Sequence, residues 1–398
     1  MRLLFTCVPG RAHLNAMLPL LAAARDAGHE VWVATAKTFG AAFRRAGFDV
    51  LPSGVDWSQS DAASLPEFHR SVGPPIGAFA AVAGRGMVDD LLAHAERVKP
   101  ELLVWDAMEF GGWVAAEVLG IPQASFASAM GTPRPVIAAL TGAELGALPA
   151  RYGLAPDPQL RRMFGQLYIH RKPRTLDLPY GERLAREVRY RPAMFDRPPS
   201  AAPDWLDELS DRPIVHLSLG TTFGDSPAGR LVQRTVLRAL ADEPVSLVVS
   251  TGGVDPAEFR DVPDNARLVS YVDHEALLPR CALFLSHGSF SSILVAIAHR
   301  VPMCFLPLSA DQPVVSMHLA NLGLGVNLAN AARGPVPALD AEALAPAQVR
   351  AAVREVLADP RYREAVTSVN GDFRRLPPVE TVVQRLEDLC PNGTGLVG

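Results

Sequence analysis

Two residues at the ends of apolar runs carry the first chemistry in this sequence. His13 closes the turn Pro9-Gly10-Arg11-Ala12-His13, which follows the strand-like run Arg2 to Val8. Asp106 follows a second such run, Glu101 to Trp105, and precedes a helical pattern over Gly111 to Leu119. An imidazole exchanges a proton near neutral pH, and a carboxylate beside it fixes its tautomer and stabilises the imidazolium, the logic of a catalytic dyad. The plainer alternatives are local: a histidine bonding a carbonyl at a helix start, and an aspartate capping the next helix. Pairing of the two is a spatial expectation, since nothing in the spacing alone requires it.

The second half holds a different chemistry. Ser286-His287-Gly288-Ser289-Phe290-Ser291-Ser292 lies between a strand pattern and a helical one. Small residues there let backbone N–H groups approach an anion, and the helix start adds partial positive charge, so the loop reads as a pyrophosphate seat with His287 donating to a phosphate oxygen. Asp311-Gln312 offers a carboxylate and an amide to sugar hydroxyls. Gly220-Thr221 is another small-residue turn after a strand, and Tyr271-Val272 can present a ring and a backbone amide to a flat base. No G-x-G-x-x-G follows the first strand, which removes the fingerprint of a dinucleotide-binding dehydrogenase. No D-x-D occurs either, so no metal and no cofactor are expected, and the helix start must neutralise the anion.

The elements that position these residues alternate. Strand-length apolar runs and helical patterns follow one another from Arg2 to about Phe126, and again from Pro213 to about Asn370, the signature of βαβ units and parallel sheets. Strands are expected at Arg267 to Val272 and Ala282 to Ser286, and helices at Asn15 to Ala27 and Ser291 to Ala298. The chain has 398 residues, and at roughly 150 residues per domain this makes two domains. The Pro- and Arg-rich stretch from His170 to Pro203 lacks periodicity and is the linker candidate. The division reads as 1–195 for a first Rossmann-like domain, 196–212 for a linker, 213–375 for a second such domain, and 376–398 for a helix returning to the first. The fold class is α/β, two doubly wound domains facing a central cleft lined by strand C-terminal ends.

A net charge of −4 and a pI near 6.2 give no electrostatic footprint for nucleic acid or an anionic membrane. The apolar stretch Leu102 to Ile121 contains Asp106, Glu109 and Glu117, so no membrane span is expected, and Pro9, Gly10 and Arg11 interrupt any signal-peptide core. The location is therefore expected to be cytoplasmic, and the scattered Cys7, Cys281, Cys304 and Cys390 are expected as reduced thiols. All but three of the 38 basic residues are arginine, which points to a GC-rich bacterial source.

Taken together, these pieces resemble the family 1 glycosyltransferases of the GT-B fold, in particular the bacterial enzymes that glycosylate antibiotic and other natural-product aglycones. The resemblance runs over most of the chain. It rests on Ala12-His13-Leu14-Asn15, on Asp106, on Arg267 to Val272 followed by Ala276-Leu277-Leu278-Pro279, and on the series from His287 to Ser292 through Val301-Pro302 to Asp311-Gln312. Bacterial members usually carry two glycines and a threonine after the histidine, where this sequence has Ser289, Ser291 and Ser292, and Ala16 replaces a usual proline.

The resemblance implies an inverting, metal-independent hexosyltransferase in which His13 removes the acceptor proton and Asp106 supports it. The donor residues would be Gly220, Thr221, Tyr271, Val272, His287, Gly288, Ser289, Ser291, Ser292, Asp311 and Gln312. Trp57, Phe68, Phe79 and Met130 would line the pocket of a small apolar aglycone. The donor is expected to be a thymidine diphosphate (deoxy)sugar, because uridine-using relatives place a glutamate eight residues after the signature histidine and this sequence has Val295. Alternatives are a catalytically silent sugar-nucleotide or aglycone binder and a nucleotide-sugar epimerase of the same fold. A homodimer stays open.

Overall fold

The computed structural model describes residues 1–56, 76–131, 133–179, 184, 186–209, 211–333 and 336–390. They divide into two compact units, Met1–Pro192 with Leu376–Gly398, and Ala193–Arg375. The first unit runs β1 (Arg2–Thr6), α1 (Arg11–Asp26), β2 (Glu30–Thr35), α2 (Gly40–Arg45), β3 (Asp49–Pro52), α3 (Ile76–Val98), β4 (Leu102–Asp106), α4 (Gly112–Leu119), β5 (Gln123–Phe126), α5 (Arg134–Leu145), β6 (Leu167–His170) and β7 (Glu187–Arg189). Its sheet is parallel, in the order β3-β2-β1-β4-β5-β6-β7.

Strand periodicity decides which side chains share a face. Leu3 and Phe5 of β1 and Leu102 and Val104 of β4 join one core with Leu14, Met17 and Leu20 of α1, while Leu4, Leu103 and Trp105 join the core under α3 and α4. Both faces are covered, so β4 reads as one buried run rather than an alternation. Gly28 and Gly120 end α1 and α4 with φ of +85° and +66°, the left-handed conformation that glycine adopts without strain.

The second unit runs β8 (Ile214–Ser218), α6 (Gly220–Phe223), α7 (Pro227–Leu240), β9 (Ser246–Ser250), β10 (Ala266–Val269), α8 (His274–Leu277), β11 (Cys281–Ser286), α9 (Phe290–Ala298), β12 (Met303–Phe305), α10 (Gln312–Asn321) and β13 (Gly325–Asn327). A hairpin of β14 (Ala331–Arg333) and β15 (Val336–Ala338), then α11 (Pro346–Ala358) and α12 (Pro360–Arg374), complete it. Its parallel sheet has the order β10-β9-β8-β11-β12-β13. Finally α13 (Glu380–Glu387) buries Val382, Val383 and Leu386 in the first unit's core beside α1.

Three expectations are corrected. The stretch taken as aperiodic contains β7, whose Glu187 and Arg189 are held by ion pairs rather than by apolar packing and so leave no hydrophobic period. Residues 196–212 are not a free linker but part of the second unit: Leu206 is buried, Arg267 bonds Glu208 at 2.7 Å, and its guanidinium lies 5.0 Å from the Trp205 ring. The strand expected to reach Val272 ends at Val269, so Tyr271 and Val272 lie in the connection to α8. No helix among the described residues is long and apolar enough to cross a membrane.

Candidate active site

The structure brings His13 and Asp106 together. Helix α1 begins at Arg11, four residues before the expected start, so the imidazole belongs to its first turn. Asp106 is the last residue of β4 and shares the face of Leu102 and Val104, the face that α1 covers. The His13 Nδ1 stands 2.6 Å from Asp106 Oδ2, with the carboxylate fully buried and the imidazole a quarter exposed. Nδ1–H donating to the carboxylate leaves the Nε2 lone pair outward, and Nε2 has no hydrogen-bond partner among the described residues. A side chain at Gly10 would come within 3.1 Å of the ring, so the glycine makes room for it.

Four further residues around the pair carried no sequence signal. The Ser128 hydroxyl donates to Asp106 Oδ1 at 2.8 Å, and the Met108 amide to the same oxygen at 3.2 Å. Arg171, buried after β6, donates through Nη2 to the Ser128 carbonyl oxygen and through Nε to that of Ala127 at 3.5 Å. On the opposite face Glu109 accepts the Thr6 hydroxyl at 2.8 Å and the Gly111 and Gly112 amides at 2.9 Å each. Burial outweighs these donors and pushes Glu109 up to about 8, with the charge of Asp106 adding to the rise.

In the second unit His287 follows β11 and is buried, its Nδ1 3.4 Å from the Ser218 carbonyl oxygen. Burial pulls its pKa down to about 4, so it meets a ligand as a neutral imidazole. Gly220 has φ of +69°, and a Cβ there would stand 3.0 Å from the His287 ring, so this turn and the histidine loop are in close approach. Gly288 has φ of +96° and no room for a side chain beside Ser316. Ser289 occupies the N-cap of α9 without a side-chain cap bond. The half-buried hydroxyls of Ser289, Ser291 and Ser292 make no hydrogen bond among the described residues, and the first-turn amides of a helix have no partner within it.

Gln312 differs from the expectation. Its Oε1 accepts the Leu308 and Ser309 amides at 2.9 and 3.1 Å, which holds the loop before α10 and leaves only Nε2 for a ligand. Asp311 is the N-cap residue of α10 and half-buried. Tyr271 is 64% exposed and free to offer its ring face, whereas the Val272 side chain is buried. Val295 is buried in α9.

Trp57 and Phe68 lie outside the described residues, as do the side chains of Phe79 and Thr221. Met130 is buried and lines a cavity of the first unit with Tyr168, His170, Lys172, Asp177 and Arg189. Phe164, Leu178 and Leu184 line it as well, so apolar and charged side chains share the wall. Lys172 bonds Asp177 at 2.9 Å, Arg189 grips the same carboxylate at 2.9 and 2.8 Å, and His170 bonds Glu187 at 3.1 Å. The hydrogen bond from His170 holds Glu187 down at about 2.

Comparison with known proteins shows the family. Residues 62–220 match the N-terminal domain, and 234–389 the C-terminal domain, of the erythromycin biosynthesis protein CIII-like family. The chain is 26% identical to the 3-alpha-mycarosylerythronolide B desosaminyl transferase of Saccharopolyspora erythraea, over 98% of each chain. It is 28% identical to the 10-deoxymethynolide desosaminyltransferase of Streptomyces venezuelae, over 98% of this chain and 97% of that one. Among solved structures, the spinosyn forosaminyltransferase SpnP is 26% identical with a TM-score of 0.76, covering 98% of this chain and all of that one. The glycosyltransferase VinC, solved in complex with dTDP, is 25% identical with a TM-score of 0.75, covering 99% of this chain and all of that one. The chain belongs to the bacterial family 1 glycosyltransferases of the GT-B fold that transfer sugars to natural-product aglycones.

Proposed function

We infer that the protein transfers a sugar from a thymidine diphosphate donor to a hydroxyl of an apolar aglycone, with inversion and without a metal. The observation that carries this is His13 Nδ1 at 2.6 Å from a buried carboxylate, with Nε2 outward. Nε2 takes the acceptor proton as the acceptor oxygen forms its bond to the anomeric carbon and the bond to the diphosphate breaks; displacement from the opposite side inverts that carbon. Asp106 holds the imidazolium that forms.

The departing diphosphate carries charge that the first-turn amides of α9 and the hydroxyls of Ser289, Ser291 and Ser292 can meet, which supports a reaction without a metal bridge. A thymidine donor is supported by Val295, which has no acceptor for a ribose 2′-hydroxyl, by the dTDP complex of VinC, and by a TDP-daunosamine transferase among the relatives. A silent binder has no use for an oriented imidazole with an open Nε2.

The test is incubation of the protein with thymidine diphosphate sugars and a panel of macrolactone alcohols and anthracyclinones, read by mass spectrometry and by the anomeric configuration of the product. An inverted glycoside formed at an unchanged rate in EDTA is expected. No product from a protein that binds thymidine diphosphate, a retained anomer, or loss of the rate in EDTA would each contradict the corresponding part.

A further inference from the structure

Successive strands β1, β4, β5 and β6 lie side by side, and the residues at or just past their C-terminal ends form a chain of contacts. His13 follows β1, Asp106 ends β4, Ser128 stands two residues past β5, and Arg171 comes directly after β6. Side-chain alternation puts the last three on one face: Val104 and Asp106, Phe126 and Ser128, Ile169 and Arg171 each differ by two, and Val104, Phe126 and Ile169 all belong to the core under α1. Asp106 and Phe126 are register partners, so Ser128 is carried directly beside the carboxylate.

A carboxylate has two oxygens and a soft terminal torsion. Here Oδ1 takes the Ser128 hydroxyl at 2.8 Å and the Met108 amide at 3.2 Å, which leaves Oδ2 for His13. The Ser128 backbone is itself gripped, because the Arg171 guanidinium bonds the carbonyl oxygens of both Ala127 and Ser128 and lies 5.9 Å from the Phe126 ring. We propose that Ser128 and Arg171 are positioning residues for the base: Ser128 fixes the rotation of Asp106, and Arg171 fixes Ser128. This rests on His13 being the base.

The bond has a second consequence, of definite sign. A hydroxyl donating to Asp106 stabilises its negative charge and so tempers its pull on a proton at His13. Removal of that hydroxyl leaves a more basic carboxylate, which favours the imidazolium, so His13 should titrate at higher pH. The other ionisable groups whose charge is felt at Asp106 are Cys7 beyond β1 and Arg171 just past β6, with Glu109 in the turn after β4 and Tyr168 of β6 on the opposite face. A change at Ser128 alone alters none of them.

The experiment follows the histidine Cε1–Hε1 signals of the whole free enzyme by NMR as pH is varied, with the His13 signal assigned by its loss in His13→Ala. Ser128→Ala should move the His13 midpoint upward. It should also lower kcat by roughly tenfold or more, the size of one hydrogen bond to a charged group, and move the acid limb of the rate profile in the same direction. Ser128→Thr keeps the hydroxyl and should return both. Arg171→Lys, which loses the planar fork, should follow Ser128→Ala.

An unmoved midpoint in a folded Ser128→Ala protein, or a lowered rate that Thr does not recover, overturns the proposal, since a merely structural lesion scales the profile without shifting it. The outcomes separate from the underlying reading. If His13→Ala still turns over, the base assignment falls; if His13→Ala is dead while Ser128→Ala equals wild type, only the positioning role falls.

Discussion

At the scale of single residues, the proposed thymidine donor rests on Val295, buried in α9. A ribose 2′-hydroxyl packed against a buried valine loses water without gaining a partner, at a cost of about 1 to 3 kcal/mol, whereas deoxyribose has nothing to strand. Thymidine diphosphate should therefore bind more tightly than uridine diphosphate, and Val295→Glu should move the ratio toward uridine by about tenfold. Calorimetry of both free diphosphates checks this, and tighter uridine diphosphate binding by the unaltered protein would reject it. Glu109 makes a different prediction. Its pKa, near 8 in the folded chain against 4.5 unperturbed, means the folded state keeps a proton that the unfolded chain has lost between those values. The associated stability is complete below pH 4.5 and lost as pH rises through 8. Glu109→Gln removes that titration, so the unfolding free energy of wild type minus that of the variant should fall from pH 5 to pH 9 in denaturant melts. A difference that stays constant or rises would show that Glu109 does not keep its proton in the folded chain.

At the scale of elements, α13 ties the end of the described chain to its beginning. Val382, Val383 and Leu386 recur at helical spacing and are buried with α1 residues, and His29 pairs with Glu387 at 3.0 Å. Leu386→Ala should cost about 2 to 5 kcal/mol of unfolding free energy, measurable by urea titration; a loss under 0.5 kcal/mol would mean this face is not packed in solution. The apolar stripe of α13 was legible in the sequence, as were β1, β4, β8 and β11, whose buried runs are bounded by glycines and helical patterns. Strands β6 and β7 were not, because three- and four-residue strands held partly by Glu187, Arg189 and His170 carry no hydrophobic period. The start of α1 was misplaced because Arg11 and Ala12 interrupt the apolar pattern although they already have helical backbone.

At the scale of the molecule, each unit is a parallel sheet whose chemistry-bearing residues sit at or just beyond strand C-terminal ends, where open α/β sheets bind ligands. His13, Asp106, Gly220 and His287 were legible because strand end, small-residue turn and helix start coincide in the sequence. Ser128, Arg171 and Glu109 were not, since they act through contacts 22, 43 and 103 residues away in the chain, and no local pattern marks such a partner. Gln312 shows the converse: a residue of the right type whose carbonyl oxygen is already engaged by its own loop. The central claim is that His13 accepts the acceptor's proton and does nothing for the donor. It is tested most directly by His13→Ala, assayed with a thymidine diphosphate sugar and the macrolactone alcohol that turns over fastest, alongside calorimetry of thymidine diphosphate. Transfer should fall roughly a hundred- to ten-thousandfold with diphosphate affinity unchanged; turnover at the wild-type rate would contradict the account.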